Sequence, residues 1–302
     1  MVTRILVPLD GSRSAESVLP ATASFARVCR APVALVHIVE KNAPQAVHDE
    51  HHLQDWPEAE AYLDGLKVLL ESEGVAVTCH VHQDELSNVP AAIALHVQEL
   101  GADFVMMCTH GRNDIRRFIW GSIAQQVAAT HTVPVFFIPP KNGRGGRAYT
   151  CGSIMLPLDG REEHEPAVAV AQFLAGAFKA AVFPVLAVPR SSEVGASLGA
   201  ISRLLPRATE ELLDQSTVQG KEYLDGIRER LEADGLTVST LLVRGNPERA
   251  LLRTIAKHRP DLMVLGTHGR SGLSAAFEGS VAPKICSRSR VPIILVPAKE
   301  EE

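Results

Sequence analysis

Cysteine is sparse in this 302-residue chain, and none is paired with another along the sequence. Cys29, Cys79, Cys108, Cys151 and Cys286 are odd in number, widely spaced and free of any C-x-x-C motif. That argues against a disulfide framework and fits a reducing compartment. An excess of positive charge is missing too. Lys and Arg number 30 against 35 Asp and Glu, which gives a formal net charge of -5 and a pI near 6.2. No global basic field exists to hold nucleic acid or an anionic membrane surface, so neither is expected as a partner. The opening MVTRILVPLDGS lacks a secretory h-region ending at a small-residue cleavage site, and a cytoplasmic location is expected. Long disordered or fibrous stretches are excluded by a hydrophobic content of 46% and a charged content of 22%.

One run imitates a membrane span. Ala167 to Val188 is nearly apolar over a length that could cross a bilayer. Lys179 and Pro184 interrupt it, and its texture changes midway from Ala-rich to Val-rich. A buried helix followed by a buried strand is the reading that suits both features.

What the chain does contain is itself, twice. ILVPLDGS at 5–12 recurs as IMLPLDGR at 154–161, ADFVMMCTHGR at 102–112 as PDLMVLGTHGR at 260–270, and VPVFFIPP at 133–140 as VPIILVPA at 291–298. A repeat of this length matches the prior of about 100 to 200 residues per domain and predicts two domains, 1–140 and 153–298, joined by a Gly-rich and basic linker at 141–152. Asp10 and Asp159 lie 149 residues apart, whereas Gly111 and Gly269 lie 158 apart. The second copy therefore carries a net nine-residue insertion, expected as exposed loop within 190–215.

Within copy one, apolar runs alternate with helical stretches: strand 4–9, helix 14–30, strand 33–39, helix 57–73, strand 75–82, helix 88–100, strand 103–109, helix 121–131 and strand 133–138. That alternation predicts an α/β fold with a parallel sheet covered on both faces. Ligands of such sheets sit outside the carboxyl ends of the strands, at the switch point where the strand order reverses.

The residues with chemical potential fall at those ends. In copy two, strand DLMVLG runs into Gly266-Thr267-His268-Gly269, then nine residues, then Gly279-Ser280-Val281 opening a helix. Glycine after a strand lets backbone approach a ligand, and free N–H groups at a helix start suit phosphate oxygens. Ser280 adds a hydroxyl. Strand IMLPLDG ends in Pro157, Leu158 and Asp159, whose carboxylate can reach a ribose hydroxyl or a metal ion. Together these pieces describe a nucleotide pocket.

At this point the sequence resembles a tandem universal stress protein of the nucleotide-binding subgroup, whose motif G-x2-G-x9-G-[ST] residues 266–280 match in full. The LPLDG start, GNP at 245–247 and the closing VPIILVP match as well. The resemblance implies two tandem Rossmann-like domains, each a five-stranded parallel sheet with helices on both faces, packed through their last strands as an internal pseudo-dimer. It implies ATP, with Mg on its phosphates. Asp159 would face the ribose or the metal, Leu158, Ala187 and Leu265 would frame adenine, and Gly245 would line the ribose side. Gly266, Gly269, Gly279, Ser280 and Val281 would hold the phosphates, with Arg270 the nearby cation. Ala187 stands where the family more often has Val. Two such chains are expected to associate further as a homo-oligomer.

Copy one departs from that pattern. Its first motif glycine is Cys108, although Gly111, Gly121 and Ser122 follow in register, and its third strand lacks Gly-x-Pro. A side chain at 108 is expected to take phosphate space, and a positive φ there would exclude cysteine. Weak or absent nucleotide binding is expected in copy one; the alternative leaves Cys108 packed as a small thiol beside bound ATP.

Copy one also holds most of the histidines. His48, His51 and His52 cluster in a polar stretch, and Cys79, His80, His82, Cys108 and His110 could meet at strand ends, though no spacing matches a zinc motif. No Gly-x4-Gly-Lys-[ST] loop and no evident general base accompany the pocket motif, which favours binding over phosphoryl transfer. The expected function is an ATP-binding stress-response regulator. The alternatives are a slow ATPase or autokinase, and a ligand or metal sensor built on copy one.

Overall fold

The computed structural model describes residues 2–40, 46–47, 50–51, 53, 55–84, 88–109, 122–130, 132–139, 148–161, 165–188, 206–267, 281–286 and 288–298. They fall into two compact units. One runs from Val2 to Thr150 and takes in Pro292–Pro297; the other runs from Cys151 to Val291 and takes in Ala298.

The first unit is built on β1 (Ile5–Pro8), β2 (Val33–Glu40), β5 (Val77–Asp84), β6 (Phe104–Cys108) and β7 (Val135–Ile138). All pair in parallel, in the order β7-β6-β1-β2-β5. A small hairpin, β3 (Ala46–Val47) with β4 (Glu50–His51), follows β2. The last strand of the chain, β12 (Ile293–Pro297), lies antiparallel to β7, with Ile293 opposite Phe137 and Leu295 opposite Val135. The short apolar runs of β1, β6, β7 and β12 are buried on both faces, as strands inside a layered sheet require.

The helices are α1 (Arg13–Glu16), α2 (Leu19–Cys29), α3 (Trp56–Ser72), α4 (Val89–Glu99) and α5 (Ser122–Thr130). The single helix expected at 14–30 is broken at Ser17–Val18. Pro20 has no N–H to donate to the preceding turn, so a fresh helix starts around it. Asp55 caps α3 by accepting the Glu58 N–H at 3.0 Å, and Arg30 ends α2 in the left-handed conformation at φ 54°. Phe25 on α2 is fully buried, its ring 4.9 Å from Phe136 and 6.0 Å from Phe104. Tyr149, expected in the exposed linker, closes the same cluster. Its ring lies 5.7 Å from Phe25, and its N–H donates to Ser24 Oγ.

The second unit comprises β8 (Ser153–Leu158), α6 (Glu165–Phe178), β9 (Ala181–Val188), α7 (Pro206–Ala233), β10 (Leu241–Arg244), α8 (Pro247–His258), β11 (Leu262–Thr267) and α9 (Val281–Cys286). Its parallel strands are ordered β10-β9-β8-β11. The run that imitated a membrane span is α6 followed by β9, with Lys179 turning the chain between them at φ 55°. Among the described residues no helix is long and apolar enough to cross a membrane.

The insertion is not all loop. Helix α7 has 28 residues against 17 in α3 and begins inside the stretch read as exposed chain. Gly74 and Gly235 lie 161 residues apart and Asn88 and Asn246 lie 158 apart, so the second copy gains twelve residues and then gives back three. Gly220 lets α7 come down on the sheet, since a Cβ there would meet Leu186 Cδ2 at 2.8 Å and Leu242 Cδ1 at 3.2 Å.

Each copy locks the amino ends of its central strands with one carboxylate. Asp103 accepts from the Thr3 N–H, the Arg4 N–H and the Thr3 hydroxyl, and Asp261 accepts from the Gly152 N–H, the Ser153 N–H and the Ser153 hydroxyl.

Candidate functional site

The strand order reverses between β8 and β11. Their ladder places Leu262 opposite Ile154 and Met263 opposite Met155, and both strands run on beyond it, β8 to Leu158 and β11 to Thr267. Strands that extend past their shared ladder at a reversal of order make the crevice in which α/β sheets take ligands. Pro157 at that end brings no N–H to a ladder.

Five of the expected site positions lie along this carboxyl edge: Asp159 follows β8, Ala187 lies one residue from the end of β9, Gly245 follows β10, and Leu265 and Gly266 precede the last residue of β11, Thr267. Leu158 and Leu265 are buried, Ala187 is half-buried and the Asp159 side chain is exposed. Val281 is the first residue of α9. Gly269, Arg270, Gly279 and Ser280 lie outside the described residues, as do His110, Gly111 and Gly121 of copy one.

Asp159 has a structural duty. Its Oδ1 accepts the Arg161 N–H at 3.1 Å while Gly160 sits at φ 83°, and the same turn recurs in copy one with Asp10, Ser12 at 2.9 Å and Gly11 at φ 86°. An aspartate closing a tight turn on the second N–H ahead fixes the carboxylate's direction. Its Oδ2 lies 3.5 Å from Arg161 Nε, an exposed pair that leaves the carboxylate accessible. One carboxylate of this kind fits a phosphate-bound divalent cation, since Mg is commonly held by one or two carboxylates together with substrate phosphates.

Gly245 is required by its backbone. It stands at φ 129°, donates its N–H to the Val188 carbonyl at 2.8 Å, and delivers the chain to Asn246, which caps α8 by accepting the Arg249 N–H, and to Pro247 in the first turn. Copy one keeps the cap without the glycine, because Asn88 accepts the Ala91 N–H ahead of Pro90. Gly245→Ala is expected to cost about 1 to 3 kcal/mol, the penalty for a side chain at an unfavourable φ. An unchanged urea midpoint would show that this turn relaxes freely.

A positive φ does not set the first motif glycine apart. Neither Gly266 nor Cys108 is among the positive-φ residues of the described chain, and both lie in regular strands. Cysteine is therefore unstrained at 108, and the remaining difference is space. Its sulfur lies 3.4 Å from the Ser17 hydroxyl oxygen, whose own proton goes to the Ser14 carbonyl at 2.6 Å, which leaves the thiol as the donor of this contact.

The side chains of His48, His51, His52 and His110 lie outside the described residues, whereas His80, His82 and His96 find partners inside the fold. His80 Nε2 lies 3.1 Å from Thr78 Oγ1, the His82 ring meets His96 edge-on at 4.9 Å, and His96 Nδ1 donates to the Ala92 carbonyl. Strand alternation sends Cys79 away from His80 and His82. Among the described residues no three His, Cys, Asp or Glu side chains gather to hold a metal. Burial pushes the Cys29 thiol up to about 11 and pushes the Cys286 thiol up as well. At pH 8 the reactive Cys29 thiolate is correspondingly scarce. Iodoacetamide is expected to spare Cys29 and Cys286 in the folded chain and to label both in urea, as read by peptide mass spectrometry.

Two neighbours of the crevice had no signal in the motif. Arg161 stands beside Asp159, and Tyr223 on α7 has its phenol pushed up by burial, with the Asp159 and Glu165 carboxylates adding to the effect. Only the α7 packing, absent from any short motif, brings Tyr223 there.

Taken together, the two units define a tandem α/β protein of mostly parallel sheets with helices on both faces. The family model described as Universal stress protein family matches residues 1–139 and again 151–297, so the chain belongs to the universal stress protein family. A universal stress protein of Mycobacterium tuberculosis is 24% identical over 314 residues, covering 96% of each chain. One from Methanocaldococcus jannaschii is 28% identical over 149 residues, covering 49% of this chain and 84% of its own. The crystal structure of a universal stress protein from Archaeoglobus fulgidus superposes with a TM-score of 0.70 at 17% identity, covering 97% of this chain and 98% of that one. That likeness shows the fold.

Proposed function

We propose that the second domain, 153–298, binds ATP with Mg and that this cytoplasmic protein acts as a nucleotide-dependent stress-response regulator. The first domain, 1–140, carries a degenerate site, with 141–152 between them. One observation carries the reading: Asp159, Ala187, Gly245 and Gly266 come together on the carboxyl edge of one parallel sheet, and the complete G-x2-G-x9-G-S motif starts at that edge. Adenine lies against Leu158, Ala187 and Leu265, and the ribose lies between Gly245 and Asp159. Gly266, Gly269, Gly279, Ser280 and Val281 hold the phosphates, with Arg270 nearby. Mg would be held by Asp159 and the phosphates and would neutralise their charge. Occupancy acts by shifting conformations or partner affinity, and the chain works as a dimer of tandem chains.

The test is ligand-linked stability. MgATP at a hundred times its dissociation constant adds about 2.7 kcal/mol to a state that binds it. The expected result is a raised melting temperature in the native chain and none in Asp159→Ala with Gly279→Trp. No shift in the native chain at millimolar MgATP would overturn the reading.

A further inference from the structure

Copy one has a switch point of its own, between β1 and β6, and its own Asp-Gly turn at Asp10 and Gly11. The ladder there places Ile5 opposite Phe104 and Leu6 opposite Val105, and both strands run on beyond it. Yet this carboxyl edge is covered by side chains of the same unit. Leu53, a lone apolar residue in the polar run HDEHHLQD, is only 6% exposed. It lies on the turn itself, since a Cβ at Gly11 would stand 2.9 Å from Leu53 Cγ and 3.2 Å from Cδ1. Among the described residues nothing stands within 4 Å of the same position at Gly160.

Leu53 also packs with Val39 at the end of β2, with Ala59 in the first turn of α3, and with Tyr62 and Val81. Val39 follows Ile38, the residue 149 positions before Ala187, and the two side chains lie on opposite faces of β2. On the other side of Asp10, the Ser17 hydroxyl reaches across from the end of α1 to Cys108 on β6 at 3.4 Å. The carbonyl of Leu9, counterpart of the adenine-framing Leu158, accepts a hydrogen bond from Nδ1 of the buried His37 at 2.7 Å. In copy two the positions of Ser17, His37 and Cys108 are Pro166, Leu186 and Gly266, so none of these polar contacts can form.

We propose that the first crevice is plugged by its own chain: Leu53 fills the adenine and ribose side, and the Ser17–Cys108 pair closes the phosphate side. This rests on the reading of the second crevice as a nucleotide site, and it makes the first domain ligand-independent by construction. Buried leucine supplies there the apolar contact that a bound base supplies elsewhere. The plug is local, because Leu53 lies two residues before the Asp55 cap and packs on Ala59 in the first turn of α3.

The test reopens the first crevice in the full chain while the second is blocked by Gly279→Trp. The variants are Leu53→Ala with Cys108→Gly and, should that pair fold poorly, Leu53→Val with Cys108→Gly. Two readouts apply: amide exchange at Leu9, Gly11 and Ser12, and equilibrium dialysis with labelled MgATP. Reopening is expected to speed exchange at these amides at least tenfold and to tighten MgATP binding at least tenfold over the Gly279→Trp parent. Unchanged exchange would overturn the plug, and so would faster exchange without any gain in MgATP, which would mark Leu53 as ordinary core. The same holds if the parent already binds MgATP as tightly as the reopened variant. Exchange at Leu9 to Ser12 reads the first crevice whether or not the second ever binds nucleotide, so failure of the plug is distinct from failure of the ATP reading.

Discussion

Gly266→Cys is expected to weaken MgATP binding at least tenfold, equivalent to about 1.4 kcal/mol, while leaving the fold intact. The substitution writes the copy-one residue into copy two. Cys108 shows that the strand tolerates it, because that residue lies in β6 without a positive φ. In copy one the sulfur is engaged by the Ser17 hydroxyl. In copy two the matching position is Pro166, which has no hydroxyl, and the new side chain would stand where β11 leaves the crevice toward the motif loop. The loss is steric, so Gly266→Ala should cost less than Gly266→Cys and Gly266→Val at least as much. Calorimetric titration of the three variants, with thermal melts as the control for folding, checks this order. Equal affinity in all three would mean that the phosphates lie elsewhere.

Phe25→Ala is expected to give the largest loss of stability in the first unit, about 3 to 5 kcal/mol. Phe25 is fully buried at the meeting of α2, β6 and β7, with aromatic neighbours in Phe104, Phe136 and Tyr149. Removing the ring leaves a void that three rigid rings cannot collapse to fill, and the tie between Tyr149 and the unit's core goes with it. Both tryptophans, Trp56 and Trp120, fall in the first copy, so their fluorescence follows that copy's unfolding. For a unit of about 150 residues the transition should fall by on the order of 10 °C. A fall under about 2 °C would show that the aromatic cluster is not the core of that unit.

The repeat and the apolar runs made the architecture legible. Strands buried on both faces have no alternation to misread, and short runs such as Ile5–Pro8 and Phe104–Cys108 appear where the sequence puts them, within a residue or two. The edge strand β5 was harder. It runs Val77–Asp84 rather than 75–82, because the half-exposed His80 and His82 alternate with Val81 and the apolar signal fades before the strand does. The start of α7, 206–215, was hidden by its polar composition, which reads as inserted loop. The Ser17–Val18 break was visible in principle through Pro20.

The site was legible as a set of motif positions and illegible as a shape. Asp159, Ala187, Gly245 and Gly266 needed only strand ends to be located. Leu53 left no mark in any motif, because what matters is where the chain after β2 returns, and a lone leucine among histidines drew attention to the histidines. Cys108 was noticed for a backbone reason that the strand geometry removes, and its consequence rests on the space it fills.

The measurement that tests the account most directly is the number of nucleotides bound per chain. Nucleotide-stripped protein titrated with MgATP should take up one equivalent, held by the second domain and lost on Gly279→Trp. Two equivalents would contradict the closed first crevice, and none would contradict the assignment of the second.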